Sequence, residues 1–190
     1  GRKTCCALLE VTSRCSLACP DCFARNKING EPSFEELAAR LQELGGDNGP
    51  LVQLSGGEPT DREDLLDLIR AGKAAGVRYL QLNTNGIRIG AEPDYARKLA
   101  DAGLSFVFMQ FDGLNLLDVK LRAIARLGEA GLGVTLVPML VPGVNTHEIG
   151  DLLRFAIQNS PAVRGVHFQP ASYFHRAAAM DDAARYTLDQ

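Results

Sequence analysis

Three cysteines follow one another closely in the sequence Cys15-Ser-Leu-Ala-Cys19-Pro-Asp-Cys22. Thiolate sulfur is a soft ligand, so this spacing suits an iron–sulfur cluster or a zinc ion. Three cysteines rather than four would leave one iron of a cubane cluster open to a substrate or cofactor. A zinc site completed by Cys5, Cys6 or a histidine is the alternative. Adjacent side chains of a strand point to opposite faces, so at most one of Cys5 and Cys6 could face the cysteine loop.

A second motif, Gly56-Gly57-Glu58-Pro59, follows a predicted strand and precedes a predicted helix. Two glycines allow the backbone to turn sharply and to approach a ligand closely. The Glu58 carboxylate can accept hydrogen bonds from an ammonium group. A Gly-Gly turn alone often does no more than link a strand to a helix. It gains weight here because it would lie at the same edge of the sheet as the cysteine loop.

Apolar segments of strand length alternate along the chain with longer segments of helical period. Strands are predicted at 4–12, 51–55, 79–84, 106–111, 134–140 and 165–169. Helices are predicted near 33–44, 62–75, 94–102, 116–130 and 147–159, the first with the capping-box residues Ser33 and Glu36. Alternation of this kind predicts an α/β fold, a partial (β/α)6 TIM-like half-barrel with parallel strands. We expect this domain to cover residues 1–170, and residues 171–190 to form a C-terminal extension that leads into a region absent from the sequence.

Polar residues recur at every second position toward the ends of these strands. They are Glu10, Thr12, Gln53, Ser55, Gln81, Asn83, Asn85, Gln110, Asp112, His167 and Gln169. A period of two places each set on one face of the sheet. The pattern predicts a polar lumen that opens at the carboxyl ends of the strands, with the apolar neighbours facing the helices. A flat doubly wound sheet is the alternative, but no G-x-G-x-x-G motif follows the first strand.

Charge and composition exclude several classes of protein. The 190 residues carry 20 basic and 23 acidic side chains, a net charge of −3, with no run of Lys or Arg that would track nucleic acid. No apolar stretch approaches the roughly 20 residues of a membrane span. Five cysteines, three of them closely spaced, indicate metal binding or catalysis in a reducing cytosol rather than disulfides. We therefore predict a cytoplasmic protein without a nucleic acid partner, and we interpret charged clusters such as Arg62-Glu63-Asp64 as solvated surface.

C-x3-C-x2-C after the first strand, together with GGEP after the second, resembles the radical S-adenosylmethionine (SAM) superfamily. The resemblance implies an enzyme that binds a [4Fe–4S] cluster through Cys15, Cys19 and Cys22 and cleaves SAM reductively to a 5′-deoxyadenosyl radical. By position, residues Gly56, Gly57 and Glu58 match the segment that binds the methionine amino group of SAM.

The same resemblance suggests further contacts with SAM. Gln110 and Asp112 match a position that often contacts the ribose or carboxylate, and Asn83 and Gln169 are further candidate contacts. The family usually has a bulky apolar residue before the third cysteine, where this chain has Asp21. We hypothesise that Phe23 takes that role against the adenine.

A narrower resemblance comes from the strings CPDCFA, QLSGGEPT, QLNTNG, QFDG, LVPGVN and FQPASYF. They are similar to the branch that contains archaeal tetraether lipid synthase and the methanopterin-ring C-methylase, although the connection after QFDG is shorter here. This resemblance implies C-methylation or C–C bond formation on an unactivated carbon of a small molecule or lipid, with flavodoxin or ferredoxin as electron donor. A radical SAM peptide maturase or glycyl-radical activase, and a non-catalytic Fe–S or zinc-binding module, are the alternatives.

Overall fold

The computed structural model describes residues 4–17, 30–111 and 117–170. Eight strands lie in these ranges: β1 (Cys6–Thr12), β2 (Leu51–Gly56), β3 (Leu80–Thr84), β4 (Phe106–Gln110), β5 (Gly133–Val137), β6 (Met139–Leu140), β7 (Val163–Val166) and β8 (Gln169–Pro170). The predicted fifth strand is divided into β5 and β6 at Pro138, which has no N–H to donate to a neighbouring strand. The predicted sixth strand likewise corresponds to β7 and β8.

Helices lie between most consecutive strands of the described chain, although none separates β5 from β6 or β7 from β8. They are α1 (Phe34–Leu44), α2 (Leu65–Ala74), α3 (Ile87–Ala91), α4 (Tyr95–Asp101), α5 (Leu117–Glu129) and α6 (Ile149–Gln158), with short 3-10 helices at Pro59–Asp61 and Thr146–Glu148. The predicted capping box at α1 is confirmed, since Ser33 Oγ accepts from the Glu36 amide and the Glu36 side chain accepts from the Ser33 amide. Over the ranges described, no helix has both the length and the apolar character needed to cross a membrane.

The main sheet has six strands in the order β1-β2-β3-β4-β5-β7, and every neighbouring pair is parallel. Strands β6 and β8 form a separate parallel pair. The connections from each strand to the next run through the helices, so the carboxyl ends of the six strands meet at one edge. The predicted α/β architecture with parallel strands is confirmed.

One face of the sheet packs against the helices and forms the core. Strand residues Val52, Leu54, Leu80, Leu82, Val107 and Met109 are fully buried there against helix residues such as Leu41, Leu65, Leu68, Leu99 and Leu127. Positions of the opposite parity, which include Gln53, Asn83, Phe108 and Gln110, are only half-buried. The predicted alternation is therefore present. Four members of the predicted polar set are exceptions in exposure, since Gln81, Thr12, Ser55 and Asn85 are buried. Gln81 Nε2 donates to Asn83 Oδ1 at 2.6 Å.

Candidate active site

Cys15 lies three residues beyond the end of β1, at the carboxyl edge of the sheet, and its side chain is exposed. The other two cysteines of the motif, Cys19 and Cys22, lie outside the described residues, as do Phe23 and Asp112. Within the described ranges no group of three or more His, Cys, Asp and Glu side chains could hold a metal ion. The structure therefore places one of the three predicted cluster ligands.

The zinc alternative that uses Cys5 or Cys6 does not agree with the geometry of β1. Cys6 begins this seven-residue strand and Cys5 precedes it, whereas Cys15 follows its other end. At about 3.3 Å per residue the strand separates its two ends by roughly 20 Å. Thiolates that share one zinc ion each lie about 2.3 Å from it. Neither Cys5 nor Cys6 can join Cys15 at a single metal ion.

The Gly56–Glu58 segment is bonded directly to the residues that lead from β1 to Cys15. The Gly57 amide donates to the Thr12 carbonyl at 2.8 Å, and the Glu58 amide donates to the Arg14 carbonyl at 2.7 Å. A Cβ on Gly56, whose φ is 120°, would clash with the Thr12 carbonyl oxygen, and a Cβ on Gly57 would clash with that of Arg14. The two glycines are thus required by the close approach of the β1 exit. Their predicted contact with a ligand stays a prediction.

Glu58 joins the loops that follow β2 and β3. Its carboxylate is 3% exposed and accepts hydrogen bonds from the Thr60 amide and hydroxyl, the Thr84 hydroxyl and the Asn85 amide, at 2.7 to 3.0 Å. Burial raises the pKa of Glu58 above its usual range, against the hydrogen bonds from Asn85, Thr60 and Thr84, which favour the carboxylate. In the described structure this side chain holds two loops of the candidate site together, and its predicted contact with an ammonium group stays a prediction.

The remaining candidate residues in the described ranges lie toward the same edge on different strands. Gln110 ends β4, and its carbonyl accepts from the buried Lys120 ammonium at 2.7 Å. Asn83 lies on the adjacent strand, β3, where it pairs in register with Phe108. Gln169 is exposed on β8, outside the six-stranded sheet, and its amide donates to the Pro138 carbonyl. The structure thus brings Asn83 and Gln110 onto neighbouring strands and places Gln169 apart from them.

Comparison with known proteins decides the family. The model of the radical SAM superfamily matches residues 9–156. This chain belongs to the radical SAM superfamily.

Several relatives support this assignment. The chain is 41% identical over 187 residues to a 7,8-dihydro-6-hydroxymethylpterin dimethyltransferase of Methanocaldococcus jannaschii, covering 90% of this chain and 37% of that protein. It is 30% identical over 191 residues to a GTP 3′,8-cyclase of Peptoclostridium acidaminophilum, covering 90% of this chain and 57% of that protein. The chain therefore spans about one third to three fifths of the length of these relatives. Their named activities identify the radical SAM chain as an enzyme.

Solved structures confirm the half-barrel fold. Methylornithine synthase (PylB) superimposes with a TM-score of 0.74 at 18% identity, covering 96% of this chain and 58% of that one. Streptococcus suis SuiB bound to S-adenosylmethionine superimposes with a TM-score of 0.73 at 18% identity, covering 97% of this chain and 43% of that one. The predicted partial (β/α)6 barrel is therefore confirmed. The cofactors of the superfamily are a [4Fe–4S] cluster and SAM.

The residues of this radical SAM chain are chemically suited to such a cluster. The cysteine spacing supplies soft thiolate ligands, and the thiol of Cys15 is exposed at the carboxyl edge. The backbone that carries Cys15 is held by the Gly56–Glu58 segment rather than left as an isolated loop. The half-buried face of the sheet, which carries Gln53, Asn83 and Gln110, lies next to this edge.

Two features of the site were not found by sequence analysis. Phe106 and Phe108 lie on the half-buried face with ring centroids 6.1 Å apart, and the Phe108 ring lies 6.0 Å from that of His167. Both phenylalanines share the parity of Gln110, so the period-two pattern contained this information. The second feature is Arg62, whose charged neighbours predict solvated surface. This prediction is wrong, because Arg62 is 5% exposed.

Replacing Glu58 by glutamine is expected to destabilise the fold by about 1–3 kcal/mol, the cost of leaving a buried donor without its acceptor. Oε1 accepts from the Thr60 amide and Oε2 from the Asn85 amide, so in either orientation the new NH2 group faces a backbone N–H that needs an acceptor. Urea unfolding of Glu58→Gln and of Glu63→Gln, an exposed control on the next turn, measures the difference. Equal free energies of unfolding in the two variants would contradict this role.

Proposed function

We propose that this chain cleaves SAM reductively and uses the resulting radical for C-methylation or C–C bond formation on an unactivated carbon. The observation that carries the proposal is the bonding of the Gly56–Glu58 segment to Thr12 and Arg14, immediately before Cys15. It joins the two motifs of the superfamily at one point of the sheet edge. A cluster ligand and the proposed binding segment for the methionine group of SAM would then keep a fixed relative position.

The proposed roles of the residues follow their positions. Cys15, Cys19 and Cys22 hold the cluster, while Gly56, Gly57 and Glu58 form the segment that receives the methionine amino group. Gln110 and Asp112 contact the ribose or carboxylate, Asn83 and Gln169 add further contacts, and Phe23 packs on the adenine. Among these, the described residues lie on β2, β3, β4, β8 and the loops that follow β1 and β2.

The cluster and SAM supply the radical chemistry. With the cluster held by Cys15, Cys19 and Cys22 and SAM at Gly56, Gly57 and Glu58, they would supply one-electron reductive cleavage of SAM and hydrogen-atom abstraction from the substrate, with a flavodoxin or ferredoxin as the electron donor. The protein positions SAM and the substrate carbon. It also limits water at the half-buried face, where Phe106 and Phe108 present apolar surface beside Gln110.

Methylation is favoured over the peptide-modifying alternative by the degree of similarity. The pterin dimethyltransferase shares 41% identity over 90% of this chain. SuiB bound to its precursor peptide shares 19% identity, a level at which only the fold is comparable. A small molecule with a heterocyclic ring is therefore the substrate class we propose. The chain spans 37% of the dimethyltransferase, so the similarity covers only part of that enzyme.

The test is anaerobic iron–sulfur reconstitution, followed by reduction with dithionite in the presence of SAM. Chromatography for 5′-deoxyadenosine and methionine measures cleavage, and metal analysis measures iron, sulfide and zinc per chain. We expect about four irons per chain, as a [4Fe–4S] cluster requires, and both products in equal amounts. A chain that binds zinc and no iron, or that carries the cluster and leaves SAM intact, would contradict the proposal.

A further inference from the structure

Glu31 bonds the far end of the cysteine-bearing segment to its beginning. Its Oε1 accepts from the Thr12 hydroxyl at 2.6 Å and from Arg14 Nε at 3.2 Å. Its Oε2 accepts from the Ser13 amide at 3.1 Å and from the Ser13 hydroxyl at 3.2 Å. One carboxylate therefore contacts three consecutive residues that lead from β1 to Cys15.

Arg62 makes a second connection between the same two ends. Its Nη1 donates to the Val11 carbonyl at 2.7 Å and to the Pro32 carbonyl at 2.9 Å. Its Nε and Nη2 donate to the two carboxylate oxygens of Asp64, each at 2.7 Å. The guanidinium is thus fixed in orientation by Asp64 while it bridges β1 and the residue after Glu31. A fork of this kind uses the planar geometry that lysine lacks.

Asp61 holds the backbone next to the cysteine itself. Its Oδ2 accepts from the Ser16 amide at 2.8 Å, so the residue directly after Cys15 is bonded to the short 3-10 helix that follows Glu58. Together with the Glu58 amide bond to the Arg14 carbonyl, this contact fixes the backbone on both sides of Cys15.

These contacts differ from ordinary surface ion pairs. Arg40 and Glu43 on α1 form a pair at 3.1 Å with both side chains about two-thirds exposed, and such pairs contribute little. Glu31 and Arg62 instead bond backbone groups and a buried hydroxyl at the two ends of one segment. Bonds that join the two ends of a chain segment reduce the conformational entropy that is lost when ligands within the segment gather around a metal.

We propose that Glu31, Arg62 and Asp61 are positioning residues that form a clasp, which holds Cys15 at the exit of β1 and slows the loss of the cluster. The inference rests on the proposed function in so far as a cluster is bound there. The clasp itself is made by described residues and exists without the cluster.

The first test replaces Glu31 by glutamine, with Glu43→Gln as the matched control on an exposed ion pair. After reconstitution, excess chelator is added anaerobically and the loss of the cluster absorbance is followed. Loss of a residue that orients a metal ligand typically costs 10–100-fold in metal affinity. We expect the cluster of Glu31→Gln to be lost about ten-fold faster than that of the unmodified protein, and that of Glu43→Gln to be lost at the unmodified rate.

The second readout uses the protein without a cluster. Trypsin cuts after Arg14, whose side chain is engaged by Glu31. We expect mass spectrometry to show faster cleavage between Arg14 and Cys15 in Glu31→Gln than in Glu43→Gln, at equal melting temperature. This result would support the clasp even if the unmodified protein bound no cluster. Absence of the cluster would contradict the proposed function but not the clasp.

Asp61→Ala removes the bond to the Ser16 amide and leaves the contacts of Glu31 in place. If Glu31→Gln does not fold, the chelator test is made on Asp61→Ala instead. We expect the cluster of Asp61→Ala to be lost faster than that of the unmodified protein. Loss rates and tryptic cleavage equal to those of Glu43→Gln would overturn the clasp.

Discussion

Cys15→Ala is expected to lose both the stable cluster and the cleavage of SAM. The proposed cluster has three protein ligands, so removing one thiolate leaves only two. Loss of an outer-shell partner already costs about 10–100-fold in metal affinity or activity, and loss of a direct ligand should exceed that range. Iron per chain after reconstitution and desalting, together with the amount of 5′-deoxyadenosine formed, measures the effect.

Cys6→Ala is the matched control for this experiment. Its side chain is exposed like that of Cys15, but it lies at the opposite end of β1, roughly 20 Å from the site. Partial desolvation and the neighbouring Cys5 raise the pKa of Cys6 above its ordinary value. We expect Cys6→Ala to retain iron and activity. Equal losses of iron and of 5′-deoxyadenosine formation in the two variants would contradict a specific role of Cys15 as a cluster ligand.

The strands could be predicted from sequence because each is a short apolar run whose neighbours alternate in polarity. Leu80 and Leu82 face the helices while Asn83 faces the half-buried side, as a period of two requires. Helix α3 was not predicted, since its five residues are too few to show a helical period. Pro138 marked an irregularity in the fifth strand, but its consequence, a division into two strands with different partners, depends on tertiary pairing.

The sequence predicts the motifs of the candidate site but not the hydrogen bonds that connect them. Cys15 and Gly57 belong to local sequence patterns. The bonds of Glu58 to Thr84 and Asn85 join residues more than 25 positions apart, and no local pattern reports them. Arg62 has the composition of a surface residue, because its neighbours are charged as well. Only the fold shows that β1 and Pro32 surround it.

Gly57→Ala is expected to reduce the rate of SAM cleavage by about 100-fold, the cost of misplacing reacting groups by roughly 1 Å. The added methyl group would occupy the position of the Arg14 carbonyl, whose oxygen and carbon are backbone atoms and cannot rotate away. The chain leading to Cys15 must then move from the Gly56–Glu58 segment, and the bond from the Glu58 amide to the Arg14 carbonyl is lost. Overpacking of this kind also costs about 1–3 kcal/mol of folding free energy.

The matched control for Gly57→Ala is Gly165→Ala on β7, where an added Cβ meets no atom within 4 Å. Alanine there reduces the entropy of the unfolded chain, so its stability should equal or slightly exceed that of the unmodified protein. Both variants are reconstituted, and the cleavage rate per bound cluster is compared with the free energy of unfolding from urea titration. A lower rate per cluster in Gly57→Ala alone would indicate that the glycine sets the distance between the cysteine segment and the SAM-binding segment. An unchanged rate per cluster would mean that the contact with Arg14 serves stability and not the position of SAM.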